Sequence, residues 1–175
     1  MIGIPIGLFF ANGFEWFAHK HILHGLGKNP KSYWRIHWNH HKMARQNEFY
    51  DPIYHESLFN NKGYGKEALA LVGLSAAFVP LYPVAPFFTA TVHYCAINYY
   101  RKHKRCHLDP EWGKQNMPWH YDHHMGKNQN KNWCVTRPFF DYVMKTRIKS
   151  KTIESEKNVF GLPLIDRLSR RWRFS

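Results

Sequence analysis

Imidazoles recur in this chain at spacings that suit metal coordination. Residues 37–41 read HWNHH and residues 120–124 read HYDHH. On a helix turning about 100° per residue, positions i, i+3 and i+4 share one face. His37, His40 and His41 therefore form one trio, and His120, His123 and His124 form another. Histidine is neither a strong helix former nor a usual core filler, so two same-face trios in one short chain call for a shared ligand. A metal ion is the simplest. Two pairs extend the set: His19 and His24 at i, i+5, and His103 and His107 at i, i+4. Ten imidazoles exceed the needs of a four-coordinate structural zinc site, which usually includes thiolates. They suit two ions with about five nitrogens each, leaving a position on each for oxygen or water.

The remaining candidates are weaker. An i, i+5 pair turns through about 140° on an ideal α-helix, so His19 and His24 are expected to straddle the two ions rather than face one. His21 points away from His19 and reads as a non-ligand, while His55 and His93 stand alone as ordinary polar or packed residues. Asp122 lies inside the second trio but off its face, as a candidate acceptor for an imidazole N–H. Glu15, Glu48, Asp51, Asp109 and Asp141 are similar candidates, with pairing to the abundant Lys and Arg as the alternative. Cys95, Cys106 and Cys134 are odd in number and form no CxxC pair. They point to neither a disulfide framework nor a thiolate zinc site, and to a reducing compartment.

The elements that must position these residues are helical. At 175 residues the chain reads as one domain. Residues 1–14 carry no charged side chain, and neither do the 33 residues from Ala68 to Tyr100. A straight helix over the second stretch would run about 50 Å, well beyond a hydrocarbon core of about 30 Å. Pro80, Pro83 and Pro86 supply the fold-back, giving a hairpin of helices near 66–82 and 84–107. The expected fold is all-α: multi-pass membrane helices with a cytosolic helical cap carrying a histidine-rich dimetal site. The membrane-embedded domain covers 1–148, with spans near 1–18, 66–82 and 84–100, and 149–175 form a polar linker and basic tail. The first segment reads as an anchor, since it lacks the basic start and cleavage site of a signal peptide.

Charge placement supports this layout. Lys and Arg number 25 against 12 Asp and Glu, a balance that suits an anionic membrane surface or a nucleic acid. Eight of the basic residues fall between Lys20 and Lys66 and seventeen between Arg101 and Arg173, all on the proposed cytosolic side. A nucleic-acid binder has no reason for that arrangement, so no nucleic-acid partner is expected. The setting is an integral membrane protein of a bacterial inner membrane or endoplasmic reticulum. The alternative is a non-enzymatic basic protein that binds membrane surfaces or nucleic acid, with its apolar stretches as core.

The four histidine elements in order, His19-X4-His24, His37-X2-His40-His41, His103-X3-His107 and His120-X2-His123-His124, with an apolar hairpin between the second and third, resemble the fatty acid hydroxylase/sterol desaturase superfamily of membrane di-iron proteins. The segment NWCVTRPFFDYVMKT, Asn132 to Thr146, is similar to the family's closing segment, and the likeness spans roughly residues 10 to 147. One position departs: where the fatty acid 2-hydroxylase branch often has Asp three residues before the third element, this chain has Tyr100. The resemblance implies two iron ions held by the ten histidines, with zinc as an inactive substitute and O2 as co-substrate. It implies a lipid substrate hydroxylated at an unactivated C–H, with desaturation, or oxidation of a sterol or carotenoid, as the alternative. It also implies an external electron donor of cytochrome b5 or ferredoxin type, since no flavin or haem motif is present.

Overall fold

The structure is a computed structural model that describes residues 1–59 and 64–149. The expected linker and tail lie, beyond Lys149, outside the described residues. Among the described residues every regular element is helical. The first helix, α1 (Gly3–Phe17), runs without a break into a π-helical segment, Ala18–Gly25, and a 3-10 turn, Leu26–Lys28. Then come α2 (Arg35–Gln46), α3 (Gly65–Phe78), α4 (Pro86–Leu108), α5 (Pro110–Asn116), α6 (Pro118–Met125) and α7 (Phe139–Val143).

Proline and aspartate punctuate this order. Pro86, Pro110 and Pro118 open α4, α5 and α6 at the position where a missing N–H costs nothing. Asp109 closes α4 and caps α5 by accepting the Trp112 N–H at 3.1 Å. Asp51 does the same for the 3-10 turn Pro52–His55, accepting from the Ile53 N–H at 3.0 Å. The hairpin turns where the prolines require it, but α3 ends at Phe78, short of the expected 82, because Pro80 draws the chain into a 3-10 turn, Val79–Leu81.

No helix among the described residues is long and apolar enough to cross a membrane. With 15 residues in α1 and 14 in α3, these helices extend only about 22 Å and 21 Å against a hydrocarbon core of about 30 Å. The 23-residue α4 carries Arg101, Lys102, Lys104 and Arg105 in its second half.

Close packing of α1 on α4 sets the frame. Gly3 and Gly7 lie one turn apart on α1, and a Cβ built on Gly7 would stand 2.8 Å from the Thr91 Cβ. One on Gly3 would stand 2.7 Å from the Phe88 nitrogen. Small residues at this spacing let two helix backbones approach. The buried core lies toward the other end of α4, in Phe49, Cys106, Met117, Trp119 and Val135, with a second cluster of Trp16, Trp133 and Cys134. By contrast α3 buries none of its residues, and Leu69, Val72, Val84 and Ile97 are each more than 60 % exposed. Replacing Gly7 with Leu is expected to force α1 off α4 and cost about 1–3 kcal/mol. Thermal unfolding of the purified chain would show this as a lowered midpoint.

Candidate metal centre

The π segment is the first device that builds the site. At its end the Leu26 N–H reaches back to both the His21 and the Ile22 carbonyls, five and four residues earlier. A π turn takes up nearly one residue more than an α turn, so residues i and i+5 return to the same side. His19 and His24 therefore converge, with ring centroids 5.1 Å apart. The expectation that this pair straddles two ions assumed α-helical geometry and does not hold. His21 points outward, exposed beside Trp16 and Phe17.

Helices α2, α4 and α6 carry the rest, and the ten histidines meet in one buried cluster, none more than 6 % exposed. They sort into groups that could each hold an ion. His19, His24, His37, His41 and His123 form the first, and His40, His103, His107 and His124 the second. His120 joins the second through His107, their Nε2 atoms 3.1 Å apart. Cys106 also lies within reach of His107 and His120. Its thiol, however, donates to the His103 carbonyl, and burial holds its pKa well above the usual thiol range. A protonated thiol is a poor ligand.

The spacing of nitrogens tests whether these groups fit ions. In the first group the Nε2 atoms of His19 and His37 stand 2.9 Å apart, and those of His24–His41, His24–His123, His37–His41 and His41–His123 each 3.1 Å. Two ligands at right angles, each about 2.1 Å from an ion, stand about 3.0 Å apart, whereas a tetrahedral pair stands about 3.4 Å apart. The observed spacing matches adjacent positions around a five- or six-coordinate ion. In the second group the Nε2 atoms of His40, His103 and His124 are buried with no hydrogen-bond partner. An orphaned inward-facing nitrogen is costly in a dry core unless a cation accepts its lone pair.

Outer hydrogen bonds set which nitrogen faces inward. His107 donates from Nδ1 to the Phe49 carbonyl at 2.8 Å, and His123 to that of Lys131 at 2.6 Å. His19 donates to the Trp133 carbonyl, His40 to Asp51 at 2.7 Å and His103 to Glu67 at 2.8 Å. With the proton held on Nδ1, Nε2 keeps its lone pair for an ion. The Gln129 amide nitrogen, which donates to the His124 carbonyl at 3.2 Å, stands 2.9 Å from His41 Nδ1 and is not an acceptor for it.

Two of these acceptors come from one bend. Asn132, between Lys131 and Trp133, takes a left-handed conformation with φ 59° that Asn tolerates. Its side chain receives the Ile148 N–H at 2.7 Å and donates to the Ile148 carbonyl at 3.0 Å. Asp141 grips the same strap, accepting from the Trp133 and Cys134 N–H groups, each at 2.8 Å. Glu15 anchors its far end through Val135 and Thr136. Of the carboxylates considered from sequence, only Asp51 is seen receiving an imidazole proton. Asp122 pairs with Arg147 at 2.9 Å, and Asp109 is a helix cap. Glu67 was missed, although it is the sole acidic residue between Glu56 and Asp109 and stands at the base of the hairpin.

A cavity of about 460 Å³ adjoins the cluster. His19 and His37 of the first group line it, as do His40 and His103 of the second, facing Phe14, Leu71, Leu74 and Val92. A buried, histidine-lined site that could hold metal thus opens on an apolar cavity in a helical scaffold. Residues 4–146 match the fatty acid hydroxylase family model, and the chain belongs to that family. No curated protein and no solved structure matches it. Membership places it with lipid hydroxylase- and desaturase-type oxidoreductases, and its histidine clusters fit a metal site.

Burial, reinforced by neighbouring imidazoles, holds His19, His37, His40, His41, His107, His120 and His124 well below the usual histidine range. Burial lowers His24 to about 2 and His123 to about 4. Each folded value lies below the unfolded one, so the unfolded chain takes up protons first and stability is complete only above about pH 6.5. The metal-free chain is expected to lose stability as pH falls below that value. His123 alone contributes roughly 2 kcal/mol of loss by pH 5, to be read from thermal midpoints across the range.

Proposed function

We propose that the chain is a di-iron, O2-dependent oxidoreductase that hydroxylates an acyl chain or related lipid at an unactivated carbon. The observation that carries this reading is the shared wall between the two histidine groups and the apolar cavity. The ten histidines are the ligands: His19, His24, His37, His41 and His123 for one ion, and His40, His103, His107, His120 and His124 for the other. Iron, when bound, would activate O2, the oxidant, toward an alkyl C–H bond, a capacity that no side chain possesses.

The chain's own residues do the rest. Phe10, Phe14, Leu23, Leu71, Leu74 and Val92 bury the alkyl chain at about 0.8 kcal/mol per methylene. The same walls exclude water from the reacting carbon and hold it against the imidazole face. Asp51, Glu67 and the 131–133 strap keep the ligand nitrogens aimed while the substrate exchanges. Reducing equivalents come from an external donor, and the basic surface suits an acidic partner of cytochrome b5 or ferredoxin type.

The same layout supports a membrane setting. Exposed apolar residues on α1, α3 and α4, among them Phe9, Leu69, Val72 and Ile97, suit contact with lipid. Every Lys and Arg lies outside residues 1–18 and 68–100. Both features support a multi-pass, membrane-embedded chain with its metal site toward the cytosol.

Metal analysis of the purified chain is expected to find about two iron ions per chain, and host lipids to gain a hydroxylated species on expression. His120→Ala is expected to abolish that product while membrane insertion persists. Full activity in this variant would remove His120 from the site. Ala96, which lines the cavity, offers a second check. Ala96→Trp is expected to lower turnover of long chains more than of short ones, measured by competition between lipids of different length.

A further inference from the structure

The two histidine groups differ in what stands behind them. In the first, His19 and His123 donate to the neutral carbonyls of Trp133 and Lys131, and His41 faces the neutral Gln129 amide. In the second, two imidazoles donate to carboxylates: His40 to Asp51 and His103 to Glu67. Asp51, fully buried, gathers three donors: the His40 Nδ1–H, the Tyr64 hydroxyl and the Ile53 N–H. An ionised carboxylate, an acceptor only, satisfies all three. Glu67 is arranged alike, with its other oxygen 2.9 Å from the Tyr54 hydroxyl. Burial keeps both phenols protonated and therefore donors.

A carboxylate behind an imidazole makes the far nitrogen a stronger donor to a cation and offsets part of the cation's charge. Two ions side by side repel each other, so the position with more local negative charge fills more readily. We infer that the two positions are unequal and load in order. The second group, backed by Asp51 and Glu67, takes its ion first and holds it more tightly; the first group fills last and empties first. Asp51 and Glu67 are thus positioning residues that also set the affinity of one ion. This inference rests on the reading of the ten histidines as ligands.

The test is equilibrium dialysis of the metal-free, detergent-solubilised full chain against buffered free zinc, with bound metal counted per chain. The wild type is expected to fill in two separate steps. Glu67→Gln preserves shape and an acceptor oxygen for His103 while removing the charge, and is expected to weaken the tighter step by about 10–100-fold with the looser step unmoved. In the same titration His19→Ala is expected to erase the looser step and spare the tighter. Merged steps in the wild type would overturn the inference. So would a Glu67→Gln effect on the looser step or on both alike, or loss of the tighter step in His19→Ala. A wild-type chain that binds no zinc would instead overturn the ligand reading itself.

Discussion

Ten imidazoles confined to one dry cluster impose the constraint on which the rest of this structure depends. Each ring must stay neutral to be buried, and each must present a chosen nitrogen to a common centre. Burial favours the neutral form, and it holds His120 and His124, for example, well below the usual histidine range. For His19, His40, His103, His107 and His123, orientation comes from outer acceptors that fix a proton on Nδ1. Remove either condition and the cluster becomes a set of repelling cations or of misdirected lone pairs.

The helices divide this labour. α2 and α6 each supply a trio, α4 supplies a pair where it reaches the buried core, and the π segment supplies the last pair. Short connections and proline starts bring α5 and α6 back against α4 directly after Leu108. Arg45 ties α2 to α6 by donating to the His124 carbonyl at 2.6 Å. The apolar halves of α1, α3 and α4 contribute few buried residues of their own, and their value lies in the cavity they enclose beside the rings.

Much of this was legible in the sequence because it is local. The HxxHH trios follow from helical periodicity, and the hairpin from three prolines within seven residues of an uncharged run. Both depend on neighbours within a turn or two. The fate of His19 and His24 was not legible, since α-helical periodicity places i, i+5 apart and nothing in AHKHILHG announces a π turn. Glu67 and Tyr54 were also hidden, because their partner His103 lies 36 and 49 positions away. Backbone carbonyls such as those of Lys131 and Trp133 carry no residue signature at all. Their role arises only when Asn132 bends the chain.

The extra residue accommodated by the π segment has a geometric consequence for the whole first helix. One added residue rotates everything upstream by about 100° relative to everything downstream. The stripe that α1 turns toward Phe88 and Thr91 is thereby uncoupled from the stripe that aims His19 and His24. One continuous rod can then serve two neighbours lying in different directions, and neither contact has to be compromised to satisfy the other.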